Sequence, residues 1–149
     1  MLEIRGTNWR DVSRDLQAEL RVDSTGYHRD VSQYLVFSTR QAVSREQDVN
    51  GRKFAALAPS TANARRGTTR RGTAHILQDN GSMVRALVGQ FSPSEARLTL
   101  GDRRNAQKAI WHQQGTSKMP QREWIGLRSY AGHDDFLAIE QIAERHIGR

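Results

Sequence analysis

The sequence predicts an α+β fold: two N-terminal helices, a small antiparallel sheet with a long basic loop, and a C-terminal helix. Three observations carry that prediction. Apolar residues recur at three- and four-residue spacing in two stretches before residue 46. Two short stretches between 82 and 101 favour extended backbone and flank Ser92, Pro93 and Ser94. The last stretch, 134 to 147, returns to helical period. Helices set apart from one small sheet define the class.

Asn8 suits an N-cap and Asp11 the first turn, where negative charge complements the helix dipole. Trp9, Val12, Leu16 and Leu20 then fall on one stripe, so a helix is expected over 8 to 22. Gly26 breaks the pattern. Tyr27, Val31, Tyr34, Leu35, Ser38 and Ala42 mark the inner side of a second helix ending near Glu46. From Asp48 to His75 no period is sustained, and Gly, Pro, Ser, Thr and Asn accumulate. The stretch 48 to 75 is therefore expected as a long basic loop pinned at its start by Phe54 and Leu57 and ordered by a partner.

The hairpin is expected to pair Ser82 to Phe91 with Glu95 to Gly101. A short helix should follow over Asn105 to His112 and another strand over Arg122 to Arg128. The closing helix, Asp134 to Ile147, should turn Phe136, Ile139, Ile142, Ala143 and Ile147 inward, with Asp134 and Asp135 at its positive end. The chain of 149 residues fits a single domain. Leu, Ile, Val and Phe supply 30 of them, close to the ~20% at which charged chains begin to fail to fold. A thin core of this kind points to oligomerisation.

The chain carries no cysteine, which excludes disulfides, Cys-ligated zinc and thiol nucleophiles. Its first residues, MLEIRGTNWRD, lack a secretory apolar run, and no stretch approaches a membrane span. His28, His75, His112, His133 and His146 are scattered without metal-ligand spacing, and neither a GxSxG elbow nor a phosphate-binding loop is present. The chain accordingly reads as a non-enzyme without cofactor or metal.

The net charge of +7 is concentrated in residues 51 to 100, with 8 basic against 2 acidic groups. Arg65, Arg66, Arg70 and Arg71, interleaved with Gly and Thr, could neutralise phosphates. No aromatic side chain is interleaved for base stacking and no helix-turn-helix is visible. A small basic, sequence-independent nucleic-acid-binding protein is thus the alternative function, and a loop that pairs with protein or solvent is the favoured reading of the cluster.

Four ordered segments give the chain a family character. Gly51, Phe54, Leu57 and Thr61 are similar to a "G..W..L...T" pattern, with Phe in place of Trp. Ile76 to Gly81 is similar to "iLqdtG", and Ala109 to Gly115 to "yAaiHqfG". Pro120, Arg122, Trp124, Ile125 and Gly126 stand where a "PaRpFlG" segment would, with Gln121, Glu123 and Trp124 departing from the commonest residues. In this order the segments resemble the phage virion morphogenesis family, the tail-completion proteins of Mu-like and P2-like tailed bacteriophages. The resemblance spans about residues 8 to 147.

The resemblance implies a structural protein at the head-proximal end of the tail, which completes or terminates the tube and readies it for the head. It implies a ring of copies of itself, six by analogy, touching the tail tube protein and a head-closure or connector protein. It also implies passing, non-specific contact with DNA, no membrane partner, and residence in the virion after assembly in the host cytoplasm. The stretch WHQQGTSKMPQREWIGL is read as the joint: Trp111, His112, Gly115, Pro120, Arg122, Trp124 and Gly126 are the expected interface residues. Gly115 and Gly126 permit tight turns, Pro120 stiffens the approach to a strand, and the two tryptophans offer large anchors. Each tryptophan could equally fill the subunit's own core; Trp124 is assigned to the seam. Arg122 could pair across that seam or face solvent.

Overall fold

A computed structural model describes residues 24–68, 75–78 and 80–147. The helix expected over 8 to 22 lies outside the described residues. Helix α1, Ser24–Ser44, buries Val31, Ser32, Ser38, Thr39, Ala42 and Val43. Gly26 does not break it but sits in its first turn, where backbone N–H groups have no helical acceptor to lose. The helix ends in a Schellman-type closure: Gln47 N–H reaches Ala42 O at 2.9 Å and Glu46 N–H reaches Val43 O at 3.0 Å. Glu46 takes the left-handed conformation, φ 56°, usually left to glycine. Its carboxylate offsets that cost by accepting Ile76 N–H at 3.0 Å and lying 3.4 Å from His75 Nδ1.

The expected loop is in part a helix. After a turn organised by Asp48, whose carboxylate accepts Asn50 and Arg52 N–H, Phe54 enters the core. Helix α2 then runs Pro59–Thr68. Proline suits a first helical turn because its missing N–H would be unpaired there anyway, and the Ala-containing run that follows propagates it. Few apolar residues mark α2, so its period was invisible.

Ile76 and Leu77 return the chain to the core. Strand pairing starts later than expected, because Ser82–Arg85 forms a single helical turn, α3. Strands β1, Leu87–Ser92, and β2, Glu95–Leu100, pair antiparallel from Leu87↔Leu100 to Ser92↔Glu95. Helix α1 lies across this hairpin. Gly89 permits the approach, since a Cβ there would stand 2.7 Å from Ser32 O.

Asp102 caps α4, Arg103–Gln114, accepting Asn105 N–H at 2.8 Å. The strand expected over Arg122 to Arg128 is absent, for a reason given below. A minimal hairpin, β3 Ser129–Tyr130 with β4 His133–Asp134, precedes α5, Asp135–Ile147. Within α5 Ile142 is buried and Ile139 and Ala143 are half-buried, whereas Phe136 and Ile147 face outward, contrary to expectation. The α+β class and the small antiparallel sheet are as the sequence predicts. No helix among the described residues is long and apolar enough to cross a membrane.

Candidate assembly surface

The stretch from Trp111 to Leu127 folds as a helix end, a tight turn and an extended return. Gly115 ends α4 at φ 74°, ψ 174°, a region open only to glycine, and a Cβ there would meet Gln121 N at 2.9 Å. Thr116 and Met119 close the turn by a reciprocal pair of backbone bonds. Pro120 follows, exposed, and the chain runs back along α4.

The returning segment pairs with a helix instead of a strand. Arg122 N–H donates to His112 O at 2.7 Å. The Gln113 side chain then acts as a surrogate strand: its Oε1 accepts Trp124 N–H at 3.1 Å and Ile125 N–H at 3.0 Å, and its Nε2 donates to Ile125 O at 3.0 Å. On the other side Val49 N–H donates to Glu123 O at 2.9 Å. The backbone groups that a sheet would satisfy are thereby satisfied without one.

Trp124 is 0% exposed and belongs to the core with Val43, Phe54, Ile76, Leu77, Met83, Leu87 and Ala109. Its Nε1–H reaches Ala109 O at 3.4 Å. Arg122 is also buried, donating from Nε to Ala55 O at 2.9 Å and from a terminal nitrogen to Ala56 O at 3.0 Å. The seam assignment of these two residues is thereby corrected: one is the largest core side chain, and the other ties the segment after Phe54 to the return. Neither faces solvent within the subunit. Each of the four ordered segments contributes to the same core, through Phe54, Ile76 with Leu77, Ala109, and Trp124.

Behind the return lies a buried polar cluster that no local sequence pattern announces. Arg128 sits inside the turn that precedes it, donating to Trp124 O at 2.7 Å and Gly126 O at 3.2 Å. Its guanidinium lies 3.8 Å from Asp135 Oδ2. Asp135 accepts Arg128 N–H at 2.7 Å on Oδ2, and on Oδ1 the hydroxyls of Tyr34 and Ser38, both at 2.7 Å. His133 Nε2 stands 2.8 Å from the same Oδ1. Burial pushes the Asp135 carboxyl up, but the bonds from Tyr34, Ser38, Arg128 and His133 outweigh it and hold the pKa below the usual range. Burial, then the bond to that carboxylate, pushes the Tyr34 hydroxyl up to about 12. Burial pulls the Arg128 guanidinium down, against the field of Asp135. The cluster joins α1, α5 and the return. Asp134, by contrast, caps α5 as expected, accepting Phe136 and Leu137 N–H.

What remains on the outside is Trp111, 47% exposed, with Ile110 beside it on α4. His112 is half-buried, and Trp111 and His112 border a hollow with Leu77, Met83 and Met119. Gly126 is exposed and lies against Val49. Phe136, Leu137 and Ile147 expose apolar surface on α5. Arg65 and Arg66 fall on α2, not in a loop, while Arg70 and Arg71 lie outside the described residues. Among the described residues no group of His, Asp and Glu is arranged to hold a metal ion. The arrangement offers apolar contact on a rigid base.

Residues 6–148 match the phage virion morphogenesis family, and the chain belongs to it. No curated protein and no solved structure matches the chain. Membership makes this a phage virion protein with a structural, assembly role.

Proposed function

We propose that this member of the phage virion morphogenesis family completes or terminates the tail tube at its head-proximal end, as a closed ring that makes the tail competent to join the head. The observation that carries the reading is the exposure of Trp111 and Ile110 directly above a joint whose other tryptophan is wholly buried. Large apolar side chains held on a rigid helix are suited to protein contact. A second apolar surface, Phe136, Leu137 and Ile147, lies on a different helix. Two unlike surfaces are what a head-to-tail ring requires, since each copy presents one to the other.

In this reading six copies form the ring, the tail tube protein and a head-closure or connector protein flank it, and the arginines near α2 touch DNA only in transit. The protein resides in the virion tail or neck after assembly in the host cytoplasm. Complementation with Trp111→Ala tests it. The variant subunit should fold and accumulate, yet yield unjoined heads and tails by electron microscopy and a loss of infectious particles of about thirtyfold or more, as expected for an interface anchor worth ~2 kcal/mol or more. Joined, infectious particles at the wild-type level would overturn the assignment.

A further inference from the structure

Helices α4 and α5 carry outer stripes of opposite charge. On α4, Arg104, Lys108 and Trp111 recur at four and then three residues, so they share one face, turned away from the buried Ala109. Arg103 stands beside them, and the helix itself holds no acidic residue. On α5, Leu137, Glu140 and Glu144 recur at three and then four residues, on the face opposite the buried Asp135 and Ile142. Arg145 falls off this stripe and borders a hollow with Asp30 of α1. Among the described residues no ion pair engages Arg104, Lys108, Glu140 or Glu144. Within the subunit α4 packs on α3 and β2, whereas α5 packs on α1. Their complementarity is left to a second copy.

Laid antiparallel, the two stripes coincide residue for residue. Trp111 meets Leu137, Lys108 meets Glu140 and Arg104 meets Glu144, because the spacing of three and then four residues from the apolar end is the same on both helices. The matched levels span ~10 Å of helix. A parallel alignment would instead set Arg104 against Leu137 and Glu144 against Trp111, with both charges facing apolar side chains. A nucleic acid could answer the basic stripe, but not the acidic stripe that matches it.

We propose that α4 of one copy docks antiparallel on α5 of the next, with Trp111 against Leu137 and the pairs Lys108–Glu140 and Arg104–Glu144 fixing the register. This pairing rests on the ring reading above and gives Trp111 its partner there. Exposed ion pairs add little affinity but steer orientation and reject wrong partners, so the apolar pair holds the contact and the charges select it. Because the two faces are unlike, the contact repeats head to tail, as closure of a ring requires.

Two single-cysteine variants of the full chain, Lys108→Cys and Glu140→Cys, test the pairing when mixed and oxidised. The absence of native cysteine leaves one thiol per chain. Dimers between unlike chains should exceed those between like chains by at least ~10-fold. Arg104→Glu added to the first chain should slow their formation about fivefold, and Glu144→Arg added to the second should restore it to within about twofold. Arg104 and Glu144 are exposed, so neither change touches the core. A statistical mixture of dimers, a predominance of like dimers, no disulfide at any concentration, or a Glu144→Arg chain that does not restore the rate would each overturn the pairing. If the pairing fails while Trp111→Ala still leaves heads and tails unjoined, tail completion stands and Trp111 meets a different protein.

Discussion

Trp111 and Trp124 lie on either side of one turn, are the same residue type, and do opposite work. Trp111 is 47% exposed on α4, and Trp124 is 0% exposed beneath it. Helical spacing explains the first: on α4 Ala109 is the buried position, and a residue two further along points away from it. The return path explains the second, because Gln113 and His112 hold the segment against α4 and leave the Trp124 indole no direction but inward. A shared motif therefore does not imply a shared role: one tryptophan holds the subunit together and the other stays on its surface.

The sharpest way to break this comparison is substitution of both in turn. Trp124→Ala should cost ~3 to 5 kcal/mol of subunit stability, read by urea denaturation, whereas Trp111→Ala should fall within ~0.5 kcal/mol of wild type. Equal losses in the two variants would erase the distinction.

A comparable loss is expected behind the joint. Asp135→Asn leaves the Arg128 guanidinium buried without its counter-charge, which should destabilise by ~3 kcal/mol. The same carboxylate sets a pH dependence. Its folded pKa lies below the unfolded value of ~3.9, so its stabilisation is fully present above that pH and is lost as pH falls through the depressed value. Thermal melts should show wild type losing stability below about pH 4 more steeply than Asp135→Asn.

A smaller effect is expected at the turn itself. Gly115→Ala forces a side chain into a backbone region reserved for glycine and against Gln121 N, at a cost of ~1 to 3 kcal/mol. Because the turn positions Trp111 over its hollow, this variant should also lower joining efficiency, by less than Trp111→Ala does. A Gly115→Ala protein as stable as wild type would mean that the return is not held by this turn.

Periodicity alone made α1, the hairpin, α4 and α5 legible, because each carries apolar residues at the spacing of its own backbone. Asp134 was legible as a cap for the same local reason. Helix α2 was not, since its sequence PSTANARRGT leaves no apolar stripe to read. The segment 122 to 128 reads as a strand, yet its hydrogen-bonding partner is the side chain of Gln113, a residue whose role depends on where α4 ends in space. The division of roles between the two tryptophans, both expected at the interface, the burial of Arg122 and the Arg128–Asp135 cluster were likewise not legible in the sequence. Charge and polarity assign such residues to the surface, and only tertiary packing supplies the carbonyls and hydroxyls that make burial affordable. By itself, then, the sequence determined the class of fold, the ordered segments and the kinship they carry, all properties of local pattern. Which side chains face inward at the joint was decided by long-range contacts, because burial is a property of two surfaces meeting and no single stretch of chain encodes both.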